Sequence, residues 1–288
     1  KIKYFTSVGH ARQGALVVND DKTQLRQYNL RSNVDMEVTN NLSLQFDIHA
    51  RRKATQAPQG DRGGVGGQLA TTQPLLPVFI NGDRNLPAQG FSEFNPAARV
   101  TSPGYDRFNN DVFNAGINWD LKLPWLLDGL SAKGFVAYDH AYNTQKTFNF
   151  TWVWYELDGD GEVVERPSRT IEPPGITENF NQASQTTVNF RLEYEKKIGD
   201  DHDVKAFVAY EQNEAANNFF TAGRLNFGSA AIDQLFAGSV DQNDWLTNGS
   251  AGETSRQNYF GRVSYSAFSK YLFQTSALMP GAFFFRLL

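Results

Sequence analysis

The sequence contains no cysteine among its 288 residues. A disulfide framework and a metal site built on thiolates are therefore both excluded. The sequence also has no run approaching the roughly 20 apolar residues that a membrane-spanning helix requires, and its mean hydropathy is −0.48. The net charge is −4 and Lys and Arg are scattered, so no basic face for binding nucleic acid is visible.

Signatures of catalysis and metal binding are equally scarce. The histidines are far apart without ligand spacing, no Gly-x-Ser-x-Gly elbow occurs, and no spacing of acidic residues singles out a glycosidase pair. We therefore predict that the chain is not an enzyme and has no catalytic, metal-binding or cofactor-binding residue. The histidines are His10, His49, His140 and His202.

Two glycine-containing segments resemble ligand-binding loops, but each has a simpler explanation. Residues 158–162 read Asp-Gly-Asp-Gly-Glu, like the start of a calcium loop. The distal bidentate Glu is missing, and Asp-Gly pairs favour tight turns. The glycine-rich run at 63–67 has no strand before it and no Lys-Ser/Thr pair, so it does not match a phosphate cradle. We predict a turn at 158–162 and a flexible loop at 63–67.

The sequence does have a strict two-residue alternation. Between Tyr28 and Val38 the large apolar side chains fall on even positions, whereas Arg31, Asp35 and Glu37 fall on odd positions. Because successive side chains of a strand point to opposite faces, each such segment has one apolar and one polar face. The same alternation recurs at 42–51, 115–123, 188–195 and 204–211.

The length of these segments favours a transmembrane β-barrel. Strands of soluble sheets typically run about 5–6 residues, whereas a strand that spans a bilayer needs ~9–11. A charge on the lipid face near the bilayer centre costs ~2–4 kcal/mol, so a membrane strand must keep its charges in phase and a soluble strand need not. A soluble β-rich carbohydrate-binding module stays open as the alternative.

Turn signals divide the chain into about nine strands, and their connections alternate between short and long. This sorting places short turns at one rim and long loops at the other, which is typical of an outer-membrane barrel. We predict an all-β fold, an antiparallel up-and-down transmembrane β-barrel that is present in part. The predicted strands lie near 2–8, 24–38, 42–52, 112–123, 130–156, 184–198, 203–220, 257–267 and 271–277. The predicted long connections cover 9–23, 53–111, 157–183 and 221–256.

Trp152, Trp154 and Tyr155 form an aromatic cluster at the end of a predicted strand. Aromatic residues are common in the girdles at membrane interfaces, and their faces also stack on sugar rings. In the second interpretation these three residues are the candidate substrate contacts of the chain.

Several phrases of the sequence, in their order and spacing, resemble the barrel portion of SusC/RagA-like TonB-dependent outer-membrane transporters. The resemblance covers about residues 1–277, and the stretch 28–42 is similar to the family's early barrel hairpin. Later landmarks are Phe-Ser-Glu-Phe-Asn-Pro at 91–96, Gly-Leu-Ser-Ala-Lys-Gly at 129–134, Asn-Tyr-Phe-Gly-Arg-Val at 258–263 and Lys-Tyr-Leu at 270–272.

This resemblance implies uptake of glycan or peptide fragments across the outer membrane of a Gram-negative, Bacteroidota-like bacterium. Its implied partners are outer-membrane lipid, a SusD-like lipoprotein over the extracellular side and the inner-membrane TonB complex. Family members close a 22-stranded barrel around an N-terminal plug domain, and the segment that contacts TonB precedes the plug. Neither lies within these residues, so we expect a fragment that is inactive by itself, because unpaired strand edges are prohibitive in hydrocarbon.

The sequence of the last residues differs from the pattern of the family. After 274–276 the relatives usually continue with Arg-x-Asp-Gly-Ser, whereas this chain reads Ala-Leu-Met-Pro-Gly-Ala-Phe-Phe-Phe. We therefore divide the chain into a partial receptor barrel at 1–277 and a divergent C-terminal tail at 278–288. A truncation or a frame change near residue 277 is expected.

Overall fold

The structure is a computed structural model that describes residues 1–15, 21–59, 67, 70, 73, 75–90, 95–167, 173–268 and 270–287. No helix in these ranges is long and apolar enough to cross a membrane. The glycine-rich loop predicted at 63–67 lies outside the described residues, apart from Gly67.

Within the described ranges, nine strands form one antiparallel sheet and two short strands form a separate hairpin. In chain order the strands are β1 (Ile2–Gly14), β2 (Gln24–Glu37), β3 (Leu42–Pro58), β4 (Tyr105–Lys122), β5 (Leu130–Asn149), β6 (Val153–Leu157), β7 (Val163–Pro167), β8 (Gly175–Ile198), β9 (His202–Leu225), β10 (Trp245–Ala267) and β11 (Tyr271–Leu287). The hairpin consists of β6 and β7, and every other strand pairs with its successor in the sheet. The predicted all-β, up-and-down layout is confirmed. Strands β1 and β11 are the two edges of the sheet, so the barrel is present in part.

The connections are sorted as predicted, with short turns at one rim and long loops at the other. The short turns cover 38–41, 123–129, 199–201 and 268–270, and the long connections cover 15–23, 59–104, 150–174 and 226–244. Gly129 closes one short turn at a φ of +88°, in the left-handed region that favours glycine. A Cβ at Gly129 would lie 2.3 Å from the carbonyl oxygen of Glu195, so this turn requires glycine.

At the long-loop rim the strands are longer than predicted. Strand β4 begins at Tyr105 rather than near 112, β8 at Gly175 rather than near 184, and β10 at Trp245 rather than near 257. The predicted strand 130–156 is wrong as a single element, because β5 ends at Asn149 and β6 begins at Val153. In these extensions both faces carry polar side chains, so the hydrophobic alternation no longer marks the strand.

The outward-facing side chains near the short-turn rim form a continuous apolar band. Phe46 of β3 lies opposite Ile117 of β4, which lies opposite Val136 of β5. Ile117 and Val136 are each 44% exposed. Within the described residues the main strands contact their sheet neighbours, and no second layer covers the band. A soluble β-sandwich would bury this face against a second sheet, so the described residues do not form one.

The band is inclined to the hydrogen-bonded rows of the sheet. Paired rings mark its long-loop edge: His10 with Tyr28 on β1 and β2, with centroids 4.8 Å apart, and Tyr210 with Tyr259 on β9 and β10, with centroids 5.1 Å apart. The residues that pair in register with Tyr28 on successive strands end on β9 at Asn218. Tyr210, which marks the edge of the band on β9, lies eight residues from Asn218 toward the short-turn rim. Strands that are tilted against the axis of a barrel produce this offset.

The buried core of the sheet lies on the outward face beyond the band, where the loop 226–244 folds against the strand ends. This outer-wall core consists of Tyr105, Phe148, Ile176 and Phe227, with Phe148 and Ile176 at 1% and 0% exposure. The rings of Phe148 and Phe227 meet edge to face with centroids 5.4 Å apart. Apolar burial therefore fastens one long loop to the outside of the wall. Partly buried side chains around it are Phe150, Ala230, Leu235 and Ala237.

The connection 59–104 contains a short helix, α1 (Pro96–Thr101). This connection is shorter than the predicted connection 53–111, because β3 continues to Pro58 and β4 begins at Tyr105. Asn95 caps α1, because its Oδ1 accepts a hydrogen bond from the backbone N–H of Ala97 at 2.8 Å. The Asn95 Nδ2 donates to the carbonyl oxygens of Val78 at 2.9 Å and Ala88 at 2.6 Å. One buried amide thus ties the helix to the preceding chain.

Strand β11 continues through the segment predicted to be a divergent tail. Its backbone pairs with β10 as far as Leu287, which lies opposite Gly252. One extra residue of β11 is accommodated where the register shifts between Arg256 and Asn258. The pairing of β11 does not depend on how this segment arose, and the truncation or frame change near residue 277 stays a prediction.

Candidate functional site

The inward-facing side chains form a network of carboxamides and carboxylates across neighbouring strands. His49 of β3 and Asn114 of β4 lie 3.1 Å apart (Nδ1 to Oδ1), and the Asn114 amide donates to Asp139 of β5. Asn33 of β2 likewise donates to Asp47 of β3. Directly opposed side chains of an antiparallel pair point to the same face, so the register brings these groups together.

The network continues toward the long-loop rim. Arg51 of β3 donates from Nη2 to Asn110 Oδ1 at 2.7 Å, and Asn110 donates in turn to Asn143 of β5 at 2.6 Å. We call this set the amide ladder. Its members are Asn33, Asp47, His49, Arg51, Asn110, Asn114, Asp139 and Asn143.

A shallow depression lies beside the amide ladder. Small side chains line it where β5, β8 and β9 are adjacent, among them Ala141, Ala183 and Ala215. Asn114 and Asp139 of the ladder border it on one side. The small residues leave space between the polar ones, so a bound chain could approach the wall closely there.

Opposite charges are paired on the inward face near the short-turn rim. The Lys133 Nζ lies 2.8 Å from Glu193 Oε2 and 3.6 Å from Asp120 Oδ2. Arg191 also contacts Glu193, at 3.2 Å, and its guanidinium lies 5.5 Å from the ring centroid of Phe207. These partly exposed pairs contribute little to stability, about 0–1 kcal/mol each. They balance the local charge at this end of the wall.

The inward face can therefore recognise a polar, largely neutral ligand. Each carboxamide presents both a donor and an acceptor, which suits the alternating donors and acceptors of a peptide backbone or the hydroxyl groups of a sugar. Sequence reasoning missed Asn114, Asp139 and His49 as a group. Their polar parity was visible, but the register that joins His49 to Asn114 spans the long connection 59–104.

The aromatic candidates lie in the connection between β5 and β8. Trp152 and Trp154 are buried, with 7% and 6% exposure. The Trp154 indole nitrogen is buried without a hydrogen-bond partner in the described part of the chain. Tyr155 of β6 donates from Oη to Glu165 of β7 at 3.1 Å. Burial and this hydrogen bond raise the pKa of Tyr155. The role of all three as substrate contacts stays a prediction.

The Asp158 carboxylate serves the turn of the β6–β7 hairpin. Its Oδ1 accepts hydrogen bonds from the backbone N–H groups of Asp160 at 3.0 Å and Glu162 at 2.9 Å. This is the tight turn that the residues predict. In the ranges that the structure describes, no group of three His, Cys, Asp or Glu residues could hold a metal ion.

Comparison with known proteins points to one kind of membrane protein. The chain is 23% identical to "TonB-dependent receptor P3" of Formosa agariphila (strain DSM 15362 / KCTC 12365 / LMG 23005 / KMM 3901 / M-2Alg 35-1), over 97% of this chain and 27% of that protein. No model of a known protein family matches the chain.

Two solved structures have a similar fold. One is a structure of the RagAB peptide transporter, with a TM-score of 0.70, 15% identity and coverage of 96% of this chain and 29% of the solved chain. The other is the RagAB peptide importer in the "closed-closed" state, with a TM-score of 0.71, 15% identity and coverage of 99% and 32%.

The chain spans less than a third of the length of each of these proteins. Their names are those of a receptor and of transporters, in agreement with the prediction that the chain is not an enzyme. TonB-dependent receptors are outer-membrane proteins of Gram-negative bacteria. The resemblance seen in the sequence is confirmed: the chain is similar to a TonB-dependent receptor and has the fold of part of a chain of the RagAB peptide transporter.

Proposed function

We propose that this chain forms part of the wall of a TonB-dependent transporter that imports glycan or peptide fragments across the outer membrane of a Bacteroidota-like bacterium. One observation carries the proposal: the same strands place an apolar band outside and the amide ladder inside. Such a wall separates lipid from a polar passage. The fold shared with the RagAB peptide transporter supports a peptide as one substrate class.

The proposed partners are a SusD-like lipoprotein at the long-loop rim and the TonB complex. The two edge strands, β1 and β11, each pair with one neighbour in the described part of the chain. An open edge leaves a row of backbone groups unpaired, which lipid does not tolerate. We therefore expect further strands to complete the barrel, and these nine strands alone to be inactive.

An uptake experiment tests the proposal. Cells that express the transporter are given labelled oligopeptides or oligosaccharides, with and without a protonophore. The double variant Asn114→Leu/Asp139→Leu should reduce the energy-dependent uptake, because it removes ladder donors and acceptors. The outward-facing variant Val136→Leu is the matched control and should transport normally. Equal uptake by expressing and non-expressing cells for both substrate classes would refute the proposal.

The aromatic candidates are tested in the same assay. Tyr155→Ala removes the more accessible ring, and Trp154→Ala removes a buried one. If the cluster contacts substrate, Tyr155→Ala raises the substrate concentration needed for half-maximal uptake without changing the amount of folded protein. If neither change affects uptake when folded protein is equal, these residues are structural.

A further inference from the structure

Two arginines face each other on the outward surface just beyond the apolar band. Arg12 of β1 lies directly opposite Arg26 of β2, and both side chains are exposed. The Cα atoms of such a pair are about 4.5–5.5 Å apart, and like charges in this arrangement repel each other. The overall charge of the chain is negative, so this is a local concentration of positive charge.

Neighbouring side chains do not neutralise the pair. The next row toward the rim holds Gln24 and Gln56, and Ala54 lies beside Arg26. Within the described residues neither Arg12 nor Arg26 makes an ion pair or a side-chain hydrogen bond. The closest acidic residue on this face by register, Asp111, is already paired with Arg52 at 3.7 Å.

The height of the pair matches the lipid head groups. His10 and Tyr28, whose paired rings mark the edge of the band, lie two residues before Arg12 and two after Arg26. Two residues span about 7 Å of strand, and a tilt near 45° reduces this to about 5 Å of height. The head-group layer extends roughly 5–8 Å beyond the hydrocarbon. Both guanidinium groups can therefore reach it.

We propose that Arg12 and Arg26 bind the phosphate of a lipid head group in the leaflet at the long-loop rim. A guanidinium group matches phosphate in geometry and charge, and it can donate two parallel hydrogen bonds. One phosphate between the two side chains would remove their mutual repulsion, while the lipid's acyl chains lie along the apolar band below. This site lies on the opposite face from the amide ladder, so it does not depend on the proposed transport function.

The test is a lipid titration of the complete transporter, purified in neutral detergent, followed by native mass spectrometry. The probes are monophosphoryl lipid A, the same lipid without its phosphate, and inorganic phosphate. The double variant Arg12→Gln/Arg26→Gln should bind monophosphoryl lipid A at least about tenfold more weakly than the wild type, because it loses charge-assisted hydrogen bonds. Arg256→Gln, an exposed arginine on the inward face, is the matched control and should bind normally.

Each remaining outcome has a defined meaning. Binding that is unchanged in the double variant overturns the proposal, as does equal binding of the phosphate-free lipid. If inorganic phosphate displaces the lipid at equal concentration, the site recognises free phosphate and the lipid assignment is wrong. Both variants replace exposed side chains, and their folding is checked by heat-dependent gel mobility.

Discussion

The carboxylate of Asp233, in the loop 226–244, accepts a hydrogen bond from the hydroxyl group of Tyr105 at the start of β4. Lys146 of β5 donates to the backbone carbonyl of Asp233 at 2.6 Å, and Arg107 lies 3.8 Å from its carboxylate. These polar contacts border the outer-wall core, into which Phe227 inserts. The loop is therefore held to the wall by one ionised group and one buried ring.

Asp233→Asn should release this loop. Hydrogen bonds to a charged group contribute about 1.5–3 kcal/mol, so the open form of the loop becomes more populated. The measurement is amide hydrogen exchange at Phe227, whose N–H donates to the carbonyl of Pro174 at 3.2 Å. Asp241→Asn is the control in the same loop, because asparagine caps a helical turn as well as aspartate does. Equal protection of Asp233→Asn and the wild type would contradict the prediction.

The loop 226–244 should also be released from the wall at low pH. Burial alone would raise the pKa of Asp233, but the Tyr105 hydrogen bond and the charge of Lys146 outweigh it and leave the pKa below its ordinary value. The stabilisation is therefore present above the pKa of an unfolded aspartate, about 3.9, and is lost as the pH falls through the folded value. The rate of amide hydrogen exchange at Phe227, corrected for its intrinsic pH dependence, should rise as the pH falls below the pKa of folded Asp233. Asp233→Asn should show no such rise.

The sequence predicted the existence of the nine main strands because one face of each is apolar near the short-turn rim. Ile117 and its outward neighbours Phe46 and Val136 are apolar there, so the two-residue period is strict. The strand ends beyond the band meet water on both faces, and Arg107 or Lys146 then occupies outward positions that a pattern search reads as loop. The backbones of neighbouring strands remain paired there although the side chains no longer alternate between apolar and polar.

Ile117→Lys should destabilise the wall by ~2–4 kcal/mol, because it places a charge at mid-band facing lipid. Asn118→Lys, one residue further and on the inward face, should be nearly neutral, since Asp47 lies within reach of that position: the Asn118 Nδ2 is 3.5 Å from Asp47 Oδ2. Urea unfolding of the complete transporter in lipid vesicles measures both. Equal destabilisation by the two variants would show that the apolar face does not meet lipid.

The candidate site was less predictable than the fold. Register across a short turn can be counted from the sequence, so the pairing of Arg31 with His49 across the β2–β3 turn was within reach. The pairing of His49 with Asn114 was not, because their strands are joined by the long connection 59–104. Trp152 was a candidate because of its residue type alone. A tryptophan side chain is found buried in a folded loop as readily as in an interface girdle or a sugar-binding site, so residue type does not distinguish these environments.

Gly104→Ala should destabilise the long-loop end of the wall. Gln59 there donates from Nε2 to the carbonyl of Phe150 at 2.7 Å and accepts from the Phe150 N–H at 2.6 Å. A Cβ at Gly104 would lie 1.6 Å from Gln59 Oε1 and 2.8 Å from the carbonyl oxygen of Phe148. The alanine must displace the amide and break both bonds, at a cost of about 1–3 kcal/mol.

Thermal unfolding in detergent measures this cost, and Gly14→Ala is the control, because a Cβ at Gly14 meets no atom within 4 Å. In a Gln59→Ala background the Gly104→Ala change should cost less, since the colliding amide is gone. Part of the cost should persist because the Phe148 carbonyl remains close to the new Cβ. Strictly additive effects of the two substitutions would mean that Gln59 and Gly104 do not pack against each other.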